Sequence, residues 1–239
     1  TSCWIGFSMD QSLVSMRDLL TRVNSRGKRL DISTFSKASK NRDIEGFKKV
    51  LSMAIAKLEK KIPKSKNKIY FPLDSTIITL TSKLLWKEGY HQVKLFSGLN
   101  NFSSGVGGVV IHFGQGHDSK EGEETINSIP ENGVGIMDRG FCSKERIKKL
   151  SKNTNKYFVL RVKNNMNLKI LENGHYLLGA EGNNVEVRIV NFCSLENNRE
   201  YRIATNLSEA EFSNQEIGEI YRRRWAEMLN LVIKLYIFA

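Results

Sequence analysis

Lys68-Ile69-Tyr70-Phe71-Pro72-Leu73-Asp74-Ser75-Thr76 is an apolar run that ends in a carboxylate. Ile69, Tyr70, Phe71 and Leu73 read as a strand entering a core, and Ile77, Ile78 and Leu80 prolong the apolar pattern. Burying an ionised Asp without a partner costs on the order of several kcal/mol or forces its pKa to shift. Asp74 therefore either caps a turn, pairs with a base or binds a metal. A second stretch, Gly133-Val134-Gly135-Ile136-Met137-Asp138-Arg139-Gly140-Phe141, repeats the context of a buried strand followed by Asp. Two such carboxylates make a candidate metal site.

The 239-residue chain is long enough for one large domain or a large and a small one, and 40% hydrophobic with 26% charged residues is ordinary for a globular protein. No apolar run approaches the ~20 residues that span a bilayer. A soluble, cytoplasmic protein is expected. Cys3, Cys142 and Cys193 lie far apart without CxxC spacing, so neither a disulfide framework nor a zinc site is suggested. The formal net charge is +12, and residues 1 to 68 supply +10 of it, from 16 Lys and Arg against 6 Asp and Glu. That asymmetry points to a polyanion, of which nucleic acid is the commonest.

The basic segment reads as short helices: one opened by Ser8-Met9-Asp10-Gln11 at capping-box spacing, a short piece near 30 to 39, and one from about Asp43 to Lys60. They form either a small DNA-binding bundle of helix-turn-helix type or a plain helical cap on the next domain. After the linker-like Ile62 to Lys68 the period changes to that of strands, expected near 69 to 74, 91 to 97 and 107 to 113. A helix near 121 to 128, the Asp138 strand, a helix capped by Ser143 and a strand over 157 to 162 follow. This α/β order fits a mixed sheet of ribonuclease-H-like type, preceded by the small helical basic domain. Domain limits are 1 to 68 and 69 to 239, with an inserted β region at about 166 to 207 and a final helix opened by the capping box Ser213-Asn214-Gln215-Glu216.

Asp74-Ser75-Thr76, the run Tyr90 to Phe96, His117-Asp118-Ser119-Lys120, Met137 to Phe141 and Tyr221-Arg222-Arg223-Arg224-Trp225 together resemble DDE transposases of the insertion-sequence-four family, over roughly residues 30 to 234. That family carries a helix signature of Tyr, two residues, Arg, three residues, Glu, six residues, Lys. The resemblance implies cleavage of DNA at transposon ends and joining of those ends to a target, on a homo-oligomer assembled on double-stranded DNA. It implies Asp74, Asp138 and Glu227 as catalytic carboxylates holding two Mg2+ or Mn2+ ions, one activating water or a 3′-hydroxyl and one stabilising the leaving oxygen. Tyr221, Arg223, Arg224, Lys234 and Arg139 are the implied DNA-binding residues.

Counted from Tyr221, the signature Arg falls on Arg224 but the Glu position falls on Met228, and Glu227 and Lys234 are each one residue short. Either one residue is missing between Trp225 and Glu227, or Arg223 takes the Arg role. A one-residue slip turns a helical side chain by ~100°. The chain also stops five residues after Lys234. A truncated or degraded copy is therefore expected, with a non-catalytic remnant that binds DNA or inhibits intact transposase as the alternative to an active enzyme. His112, His117 and Asp118 cluster without metal-ligand spacing, and Gly105-Val106-Gly107-Gly108 lacks the Lys-Ser/Thr of a phosphate loop.

Overall fold

A computed structural model describes residues 16–27, 29–41, 43, 45–46, 49–50, 53, 57, 68–79, 89, 91–100, 105–114, 116–152, 155–178, 184–193 and 200–224. The chain divides into two compact units, Thr1–Ile62 with Ile233–Ala239, and Pro63–Val232.

In the first unit, α1 (Met16–Ser25) buries Leu19 and Leu20, and α2 (Ile32–Lys40) buries Phe35. Gly27 takes a positive φ of 85° in the turn between them. The Asn24 side chain ties that turn by donating to the Leu30 carbonyl and accepting from the Leu30 N–H. Asp31 caps α2, its Oδ1 accepting from the backbone N–H of Ser33 and Thr34. The capping box at Ser8 to Gln11 and most of the helix expected from Asp43 lie outside the described residues.

The second unit is built on β1 (Ile69–Thr79), β2 (Gln92–Asn100), β3 (Gly105–Phe113), β4 (Gly133–Met137), β5 (Tyr157–Arg161), β6 (Leu168–Ile170), β7 (Tyr176–Leu178), β8 (Val185–Cys193) and β9 (Glu200–Thr205). They form one mixed sheet in the order β3-β2-β1-β4-β5-β9-β8-β7-β6. β1, β4 and β5 run parallel, and every other pairing is antiparallel. The parallel connections carry the helices: α3 (Asp118–Glu121) and α4 (Glu123–Asn127) precede β4, and α5 (Lys144–Ser151) precedes β5. The strands between 166 and 207 continue the main sheet through the β5–β9 pair.

β1 does not stop at Asp74 as its local pattern suggests. Residues 69 to 72 pair with β4, and residues 73 to 79 pair with β2. Antiparallel pairing with the long β2 carries the strand five residues further. Pro72 is the last residue in register with β4, where a missing N–H costs a ladder least.

Strand alternation sends side chains to two cores. Phe71, Leu73, Met137, Phe158 and Leu160 pack on one face with Ile126 of α4 and with Ile147 and Leu150 of α5. Val134, Ile136, Val159 and Ile203 pack on the other with Ile217, Ile220 and Tyr221. These last three belong to α6, helical over residues 214–224. The Ser213 capping box forms as its spacing predicts: Ser213 N donates to Glu216 Oε2 at 2.8 Å, and Glu216 N donates back to Ser213 Oγ at 3.3 Å. Ser143 likewise caps α5, its Oγ accepting from Arg146 N. No described helix is long and apolar enough to cross a membrane.

Candidate active site

The β1–β4 ladder has a constant offset, Ile69 with Gly133 through Pro72 with Ile136. Carried two residues on, it sets Asp74 level with Asp138. The β4–β5 ladder ends at Met137 with Leu160, and one further step sets Asp138 level with Arg161. Two carboxylates and a guanidinium thus gather where these parallel ladders end, near enough for the Asp138 charge to act on Asp74. By the same alternation all three point to the face covered by α6, where Tyr221 and Arg224 lie three residues apart on one side of the helix.

Each carboxylate has its own partners. Tyr221 Oη donates to Asp138 Oδ1 at 3.0 Å, and Arg161 Nη1 stands 3.7 Å from the same oxygen. Arg224 Nη1 lies 3.8 Å from Asp74 Oδ1, which also accepts from the backbone N–H of Ser75 at 2.9 Å. The side chains of Tyr221 and Arg224 are fully buried, whereas those of Asp74 and Asp138 remain 31% and 29% exposed. The arrangement holds two half-open carboxylates against a closed basic wall.

Burial pushes the Asp74 carboxyl above its ordinary range; Arg224 and the Ser75 N–H pull it down, and the charges of Asp138 and Asp118 add to the rise. Burial and then the Asp138 charge push the Tyr221 hydroxyl far up, so it stays a hydrogen-bond donor. Crowded carboxylates with hard oxygens and a net penalty on ionisation fit a hard divalent cation. Among the described residues no group of three or more His, Cys, Asp or Glu is arranged to hold a metal. Glu227, Lys234, Trp225 and Met228 lie outside the described residues.

Because the folded-state pKa of Asp74 is raised, its ionisation opposes folding. The penalty is absent below the unfolded pKa and complete above the folded one. The difference in melting temperature between Asp74→Asn and the unmodified metal-free chain should therefore move in the variant's favour as the pH rises from ~4 to ~7, on top of a pH-independent cost of leaving the Arg224 guanidinium without its partner. Thermal melts of both chains across that interval test this; a difference that stays constant or moves against the variant as the pH rises contradicts it.

The run of three arginines resolves in space. Arg224 faces Asp74, whereas Arg223 is exposed, its charge felt at Tyr70. Arg139 is exposed on the lip of an open groove of about 550 Å³ that Lys94, Asp118, Asp138 and Lys163 also line. His112 Nδ1 lies 3.9 Å from Glu121 Oε2, and His117 lines the groove. Arg161 escaped the sequence reading. Its only signal there is a third apolar strand ending in a charged residue, Tyr157-Phe158-Val159-Leu160-Arg161.

The site is of the two-carboxylate kind set beside a basic helix, and comparison with known proteins places it in a family. Residues 67–226 match the family model described as the Transposase DDE domain. The chain belongs to that family. It is also 49% identical over 244 residues to a Synechocystis sp. protein provisionally named as the transposase of insertion sequence element IS4SA, covering 99% of this chain and 71% of that protein.

Proposed function

We propose that this chain is a transposase that binds transposon-end DNA and catalyses metal-dependent cleavage and strand transfer. The observation that carries the reading is the gathering of Asp74 and Asp138 beyond the end of the parallel β1–β4 ladder, with Tyr221 and Arg224 holding one each. A ribonuclease-H-like core is supported by the β3-β2-β1-β4-β5 order, three antiparallel strands followed by two parallel ones. Asp74 and Asp138, with Glu227 as the third carboxylate, would hold Mg2+ or Mn2+. Bound there, two divalent ions supply an activated water or 3′-hydroxyl and charge stabilisation of the leaving oxygen.

The protein's own part is positioning. Tyr221 and Arg161 fix the Asp138 carboxylate, and Arg224 with the Ser75 N–H fixes that of Asp74. Arg139 and Arg223, both exposed, are free to take backbone phosphates, with Lys234 as a further phosphate ligand. Mg2+-dependent nicking of DNA carrying the flanking inverted repeat tests the reading, and its absence from the intact chain would refute it.

The basic residues 1 to 68 would supply much of the affinity for double-stranded DNA, on which the chain assembles as a homo-oligomer. Affinity should then fall linearly in log–log form with salt, with a slope of about −0.9 per phosphate neutralised. Changing the exposed Arg17, Arg26, Arg29 and Lys37 to Gln should make that slope shallower by about one for each phosphate no longer neutralised. An unchanged slope would remove this segment from the DNA interface.

A further inference from the structure

Asp118 has no part in the group of Asp74, Asp138 and Arg161, yet it receives an unusual concentration of contacts. It opens α3, in the crossover between β3 and β4. Ser75 Oγ donates to its Oδ1 at 2.8 Å, and Lys94 Nζ approaches the same oxygen at 2.7 Å. Lys94 is 8% exposed and also donates to the Gly116 carbonyl at 2.6 Å. The other oxygen, Oδ2, rests against Gly140, where a Cβ would stand only 2.5 Å from it. The Asp118 backbone carbonyl accepts from Arg146 Nη1, which donates also to the Phe141 carbonyl. One residue therefore touches the segment just after Asp74, through Ser75, and the segment just after Asp138, through Gly140, while Arg146 ties its carbonyl to that of Phe141.

Alternation along β1 decides what these contacts can do. Asp74 points to the α6 face, so Ser75 points to the opposite face, where Lys94 and Asp118 meet it. Asp74 is thus held from both sides of the sheet: Arg224 approaches its carboxylate from α6, while Asp118 fixes the Ser75 whose N–H donates to that carboxylate. Lys94 has a separate task. An unpaired Asp118 would add a third negative charge beside two half-buried carboxylates, and the ammonium cancels it at 2.7 Å. With Ser75 and Lys94 both on Oδ1, Asp118 is occupied as a clasp rather than offered as a ligand.

We propose that Asp118, neutralised by Lys94 and seated against Gly140, is a positioning residue that fixes the separation of the two strand segments carrying Asp74 and Asp138, and so sets the divalent-ion affinity of the pair. The inference rests on the metal-site reading given above. It requires Gly at 140, since any side chain there would push the Asp118 carboxylate off its seat.

The test is Mn2+ binding to the full chain, read from the electron paramagnetic resonance signal of free Mn2+, with melting temperature as the measure of fold. Ser75→Ala removes one hydroxyl, and Gly140→Ala displaces Asp118 without altering charge. Both should weaken Mn2+ binding by about tenfold, the scale of supporting contacts around metal ligands, at little cost in melting temperature. The double variant Lys94→Met/Asp118→Asn keeps neutrality and leaves Ser75 an acceptor, so it should lose no more affinity than Ser75→Ala and far less than Asp138→Asn. Unchanged affinity in both Ser75→Ala and Gly140→Ala overturns the proposal. So does a double variant that loses as much as Asp138→Asn, which would make Asp118 a ligand. An unmodified chain whose Mn2+ binding is indifferent to Asp138→Asn overturns the metal-site reading itself, and the clasp with it.

Discussion

Asp138→Asn will lower Mg2+-dependent nicking of transposon-end DNA by about 10³-fold or more, a barrier increase of ~4 kcal/mol, while leaving DNA affinity and folding close to those of the unmodified chain. The substitution keeps the size of the side chain and an oxygen that can accept from Tyr221 Oη, so the contact with α6 survives. What it removes is half of the negative charge that two adjacent strands present to a cation. β4 is buried along its whole length, so nothing in the strand has room to shift a replacement carboxylate into the gap. Nicking assays with a parallel gel-shift titration provide the measurement. Activity within tenfold of the unmodified chain, at equal DNA binding, would show that Asp138 is not among the groups holding the metal.

Arg224→Ala should cost about 3 kcal/mol of stability, measured by urea unfolding of the metal-free chain. Removing one partner of a buried ion pair costs ~3–5 kcal/mol, and the Asp74 side of this pair is about a third open to water, which places the loss at the lower end. The guanidinium also lies 5.6 Å from the centre of the Tyr221 ring, an attraction that disappears with it. Arg223→Ala, one residue away and exposed, should change stability by no more than ~0.5 kcal/mol. The contrast between the two neighbours carries the prediction: equal losses would mean that α6 presents a different side to the sheet than the one described.

The features legible in the sequence were the local ones. Both Asp-bearing strands show their apolar runs, and the Ser213 and Ser143 caps follow from spacing alone, since each closes hydrogen bonds within one helical turn. The extension of β1 past Asp74 was hidden because Ser75-Thr76-Ile77-Ile78 acquires strand form from β2, a separate segment further along the chain. β7 is only three residues long, too short for alternation to register. Arg223 and Arg224 could not be separated by counting, because which side of a helix meets a sheet is decided by packing at Ile217, Ile220 and Tyr221. Asp118 stood in a recognisable run, but its partners Ser75, Lys94 and Gly140 come from three other segments, and no periodicity joins them.

The packing of α6 makes the two sides of the site mechanically unequal. Ile217 and Ile220 are fixed in the same core as Val134 and Ile136, so Tyr221 and Arg224 cannot retreat without unseating that core. On the opposite flank the groove is walled by the turn at Lys163 to Asn165, by Arg139 and by His117, all outside regular strand. Under the proposed function, an incoming duplex would meet a packed helix on one side and irregular segments on the other. In that reading, adjustment to the duplex would fall to the loop wall, and the carboxylates would keep their aim against α6.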